Sequence, residues 1–149
     1  MAGNVTVTVT GIGEIIRNLA SFGSGVKNRA LRNAMSKGNQ VTLREMKSSL
    51  RNYRTGATRQ SLGHEERVKG ETVFGRVGSR KAFERMVGNK KHRPSRIVHL
   101  LEGGHQKGRG KSAARAFPFM APAHKKMERQ LPVIVTKALL EELERIRAR

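Results

Sequence analysis

The residues best suited to acid–base or metal chemistry are five histidines: His64, His92, His99, His105 and His124. No two of them have the H-x-H or H-E-x-x-H spacing that puts imidazoles on one face of a metal site. His64-Glu65-Glu66-Arg67 lacks the second His of a zincin helix. His99, Glu102 and His105 are near in sequence, but Gly103-Gly104 breaks the helix that would align them. The histidines are therefore read as surface or loop imidazoles, and no metal or other cofactor is expected. Lys107-Gly108-Arg109-Gly110-Lys111-Ser112 has the residue types of a phosphate-cradling P-loop without its spacing. Gly11-Ile12-Gly13 begins like a dinucleotide fingerprint, but Arg17 and Asn18 stand where the third Gly belongs. There is no Cys to act as nucleophile or thiolate ligand, and no Ser in a G-x-S-x-G elbow. All 11 acids are Glu, which removes Asp-centred triads and Asp-based Mg²⁺ ligation. Glu65-Glu66 and Glu141-Glu142 are adjacent pairs, and adjacent side chains diverge on a strand. The chain is expected not to be an enzyme.

Charge is the more informative property. The 149 residues carry 31 Lys+Arg against 11 acids, a net +20. The densest stretch runs from 80 to 115, with Lys81, Arg85, Lys90, Lys91, Arg93, Arg96, Lys107, Arg109 and Lys111 among its cations and only Glu84 and Glu102 against them. Such a stretch repels itself unless a polyanion or an acidic protein surface neutralises it. No apolar run approaches the roughly 18 residues that a membrane span needs. The opening residues have neither the basic nor the apolar region of a secretory signal, so an intracellular, soluble protein is expected, with no membrane partner.

The elements that must position these charges are legible from periodicity. Val5, Val7 and Val9 alternate with Thr, predicting a strand over residues 4–10. Ile15, Ile16 and Leu19 predict a short helix over 14–22. A longer helix is predicted over 26–50, with Ser24 as its N-cap and Gly38 marking either a bend or a close approach of another helix. Residues 51–58 read as a loop. Two strands, 62–68 and 71–78, flank a Lys69-Gly70 turn; Val73, Gly75 and Val77 share one face of the second. The segment 80–95 is ambiguous, with a helical turn through Ala82, Phe83, Met86 and Val87 one reading, and 88–94 within it reads as a basic loop. Residues 97–101 fit strand or helix. Residues 103–115 are predicted to be a flexible basic Gly-rich loop, and 123–148 a C-terminal helix kinked or broken at Pro132. With no Trp and one Tyr, the core must be mostly aliphatic, with the Phe side chains buried. The sum is one domain, 1–149, of α+β class: a small, mostly antiparallel sheet packed by two long helices, one from each half.

Two segments carry more when read together. Ile97-Val98-His99-Leu100-Leu101-Glu102-Gly103-Gly104 is followed, after the basic loop, by Ala116-Phe117-Pro118-Phe119-Met120-Ala121-Pro122-Ala123 and the terminal helix. This order resembles the small tail-component proteins of long-tailed bacteriophages, also called head–tail joining, tail-completion or neck proteins. There a hydrophobic-hydrophobic-Glu-(aromatic or Gly)-Gly-Thr element precedes an A-x-P-F-(hydrophobic)-x-P-A element. The start of the 14–22 helix and the Thr55-Gly56-Ala57-Thr58-Arg59-Gln60-Ser61-Leu62 segment are similar to the same family in the same order. The chain departs from the pattern at His105 in place of Thr, at Ala57-Thr58 in place of an apolar residue, and in a longer, more basic stretch over 85–95.

The resemblance implies a virion structural protein of the neck, assembled in the host cytoplasm. It implies a ring of six or twelve copies around the DNA channel, between the capsid connector or adaptor and the tail terminator and tube. Lys90, Lys91, Arg93, Arg96, Lys107, Arg109 and Lys111 are then the candidates to face a neighbouring protein or the genomic DNA. Glu102 is expected to be a structural ion-pair partner inside or between subunits, and Phe117, Phe119 and Met120 to anchor the loop to the core. The alternative is a free-standing basic nucleic-acid-binding protein, which the charge favours and the scarcity of exposed aromatic stacking platforms opposes.

Overall fold

The computed structural model describes residues 23–50, 56–70, 72–104 and 115–148. The expected strand over 4–10, the helix over 14–22 and most of the basic loop lie outside them. Within them the architecture is α+β. Helix α1 (Ser24–Ser49) leads to a short helix α2 (Ala57–Ser61) and an antiparallel hairpin, β1 (Leu62–Lys69) with β2 (Thr72–Ser79). A second, smaller hairpin pairs β3 (Arg85–Val87) with β4 (Lys90–His92). A 3₁₀ turn (Pro94–Arg96), helix α3 (Val98–Gly103) and the long helix α4 (Met120–Arg147) complete it.

The two long helices pack antiparallel through small residues. Ala30, Ala34 and Gly38 recur every four residues on α1, forming a flat stripe on one helical face. Against it α4 sets Met127, Leu131, Val135, Ala138, Leu139 and Leu143, all buried. Of the two readings for Gly38, the structure shows the close approach: a Cβ there would sit 2.7 Å from Leu131 Cδ1 and 2.8 Å from Val135 Cγ2. The hairpin β1–β2 packs on an adjacent face of α1. Gly75 admits the helix in the same way, since its missing Cβ would lie 2.6 Å from Asn39 Nδ2. A second core of Met46, Leu50, Leu62, Val98, Phe119 and Ala123 joins the end of α1 to the start of α4.

Several expectations are corrected. Gly23, not Ser24, caps α1, and Ser24 is already helical. The 51–58 loop gives way to helix α2 from Ala57, with Ala57 and Thr58 buried; residues 51–55 lie outside the description. The basic loop over 88–94 is largely a hairpin. Gly88 at φ 60° opens the two-residue turn between β3 and β4, a backbone conformation that glycine takes without steric cost. The 97–101 run resolves as helix from Val98, with Ile97 as the residue before it. The terminal helix starts at Met120, three residues before the expected 123. Of the two readings at Pro132, a kink or a break, the structure rules out the break: the helix is continuous through it. Proline leaves the Glu128 carbonyl without its helical N–H, but Glu128 is exposed and water can serve it, while buried Leu131 and Val135 hold the helix against α1.

Candidate partner-binding site

The candidate site is the joint between α3 and α4 together with the cationic hairpin beside it. Phe119, the residue preceding α4, has no side-chain group that could cap the helix. The cap comes from Glu102, in the last turn of α3. Its Oε2 accepts hydrogen bonds from the backbone N–H of Phe119 (2.9 Å) and Met120 (3.1 Å), and its Oε1 from Ala121 (2.8 Å). One carboxylate therefore satisfies three of the amides that a helix start leaves unpaired, and sets a negative charge at the positive end of a 28-residue helix. The Phe117 N–H adds a 2.7 Å bond to the Leu101 carbonyl. Glu102 is thus a helix cap, and among the described residues it makes no ion pair within the chain.

The expected anchors differ from one another. Phe119 is fully buried in the second core, and Met120 is half-buried against the same cluster. Phe117 is 38 % exposed, and so is Phe74 of β2 at 47 %, which corrects the expectation that the Phe side chains are all buried. The joint ties together the two ends of the basic loop. Lys107, Arg109 and Lys111 of that loop lie outside the described residues.

The remaining expected cations gather on one small unit. Lys90 and Lys91 are exposed on β4, Arg93 follows and is ion-paired with Glu84, and Arg96 is exposed in the 3₁₀ turn. Met86, 56 % exposed, stands opposite Lys91 across the hairpin. The unit is fastened to α2 by Arg80, whose Nη2 donates to the Gln60 carbonyl (2.9 Å), and by Arg85, whose Nη1 donates to Gln60 Oε1 (3.0 Å). Arg80 also covers the Phe83 ring at 5.5 Å from its centroid. Point charges on a fixed hairpin suit an acidic surface or a phosphate backbone and offer no platform for stacking bases.

Two features escaped the sequence reading. His64 and Glu66, two apart on β1, point together at α1. Glu66 Oε1 accepts from Asn39 Nδ2 (2.9 Å) and from His64 Nδ1 (2.8 Å), so the carboxylate fixes the ring proton on Nδ1. Neighbouring Glu65 points the other way, to Arg67 and Arg76, as adjacent strand residues must. The network holds sheet to helix. The second feature is a cationic strip along α1: Arg29, Asn33, Lys37, Gln40, Arg44 and Lys47 share one outward face over about 27 Å. The sequence already sets Arg29, Lys37, Arg44 and Lys47 off the apolar stripe of this helix; their 3–4-residue spacing is the signal that aligns them on one face. Among the described residues no group of three His or Glu converges as metal ligands.

Comparison with protein-family models, with curated proteins and with solved structures finds no match to this chain.

Proposed function

We propose that the chain is a structural component of a bacteriophage neck, acting as a ring of six or twelve copies around the DNA channel between the capsid connector and the tail. The observation that carries this reading is the Glu102 joint. The two segments on which the family resemblance rests, one ending in Glu102-Gly103-Gly104 and one beginning at Ala116, meet there in a single capping interaction. That gives their spacing a structural purpose: a basic loop whose ends are clamped can be offered to a neighbour without loosening the core. The exposed cations of the β3–β4 hairpin suit an acidic connector, terminator or tube surface, or DNA in the channel.

A second reading, a free-standing nucleic-acid-binding protein, draws on the same cations. Electron microscopy of the purified protein separates the two. Annular particles with an open centre are expected for the neck component. Single small particles at every protein concentration and salt, with tight and salt-resistant DNA binding, would overturn it in favour of the second reading.

A further inference from the structure

The antiparallel pairing of α1 and α4 leaves an open groove of about 340 Å³ on the side away from the β1–β2 hairpin. Its floor is apolar, formed by Val41 and Ile134, both half-buried, and by buried Ala138. Its walls are cationic: Lys37 and Arg44 on α1, Lys137 on α4. Glu141 also lines it, but its carboxylate is held by Lys37 Nζ at 2.8 Å. The cationic strip of α1 extends the wall in both directions, from Arg29 to Lys47, with no acid of α1 on that face; Glu141 and Glu142 of α4 meet it at Lys37 and Asn33.

The chain itself cannot supply the charge that fits this groove. Of its 11 Glu, Glu14 and Glu71 lie outside the described residues. Of the other nine, Glu45, Glu65, Glu66, Glu84, Glu102, Glu141 and Glu142 are already bonded within the chain. Glu128 and Glu144 are exposed on α4 about 24 Å apart, each flanked by cations (Lys125, Arg129; Arg145, Arg147), and form no acidic face. Residues 1–22 offer one acid, Glu14, against Arg17, and residues 105–114 offer none. A second copy brings a further +20 and the same engaged carboxylates. The complementary charge must come from a different molecule. A phosphodiester backbone has no apolar group to cover Val41 and Ile134. An amphipathic helix with an acidic face flanking an apolar edge matches both floor and walls.

We infer that the α1–α4 groove docks an acidic amphipathic helix of a partner protein. The inference goes beyond the neck reading and does not depend on it. The test is fluorescence anisotropy with the full chain at about 0.15 M salt, where surface charges beyond a Debye length are screened. The probe is a labelled synthetic peptide of about five helical turns, Leu along one edge and Glu beside it. The expected result is saturable binding, weakened about tenfold or more in Arg44→Glu with Lys137→Glu, the scale of lost charge-assisted contacts. The same charge change in Lys125→Glu with Arg129→Glu, exposed on α4 outside the groove, leaves binding within about twofold. A peptide with Ser in place of Leu binds about tenfold more weakly. Equal loss in both charge variants, or equal binding of the Ser peptide, overturns the inference as mere charge attraction. Displacement by duplex DNA that is itself lost in the groove variant overturns it in favour of nucleic acid. Circular dichroism checks that the variants keep their helix; Arg44→Gln with Lys137→Gln serves if the charge-reversed pair does not.

Discussion

Glu102 does its work by ending three amides' search for a partner. Replacing it with Ala leaves the N–H groups of Phe119, Met120 and Ala121 to water in a half-buried joint. The expected cost is about 2 kcal/mol, as for loss of a charged cap, with Glu102→Gln losing about half as much because one acceptor oxygen remains. Urea unfolding of the two variants measures both, and a cost below about 0.5 kcal/mol for Glu102→Ala would show that the cap is dispensable. Phe119, fully buried beside that cap, is expected to cost about 3 to 4 kcal/mol as Phe119→Ala, read in the same way. The residue types of this joint were visible in the sequence, but the link was not. Glu102 and Phe119 are separated by a loop, and nothing in the spacing tells a carboxylate that caps a distant helix from one that pairs with a cation.

Among the elements, the long helices were legible because their apolar positions recur at the helical period, and the β1–β2 hairpin because Val73, Gly75 and Val77 alternate with exposed residues. The β3–β4 hairpin was not. Lys90, Lys91 and His92 carry no apolar alternation, and the pairing is set by the Gly88 turn instead. Gly38 tests the α1–α4 packing. On helix propensity alone Gly38→Ala should stabilise by about 1 kcal/mol. Because the new methyl would overlap Leu131 and Val135, destabilisation by about 1 to 3 kcal/mol is expected instead, measured as a lowered urea midpoint. The same pair of helices is pinned at the surface by Lys37 and Glu141. The hydrogen bond from Lys37, and then its charge, hold the Glu141 carboxyl below its usual range. A carboxyl depressed on folding stabilises above its unfolded pKa, and that stability is lost as pH falls through the folded value. The melting temperature of the wild type should therefore exceed that of Glu141→Gln by a constant margin near neutrality, and the margin should shrink on acidification below the ordinary carboxylate range. A margin that stays unchanged throughout acidification would mean the pair contributes nothing by charge.

At the scale of the whole molecule the controlling fact is +20 on 149 residues. Most carboxylates of the described residues are engaged internally, so the surplus faces outward, on the β3–β4 hairpin, along α1 and in the α1–α4 groove. Copies of such a chain repel one another at low salt, so the proposed ring would need salt or a polyanion to screen that repulsion. Light scattering of the purified protein, at low and high salt and with polyglutamate added, tests the self-assembly at the centre of this account. The predicted result is a discrete mass near six or twelve times 16.6 kDa that is favoured by screening. A mass of 16.6 kDa under every one of these conditions would contradict it.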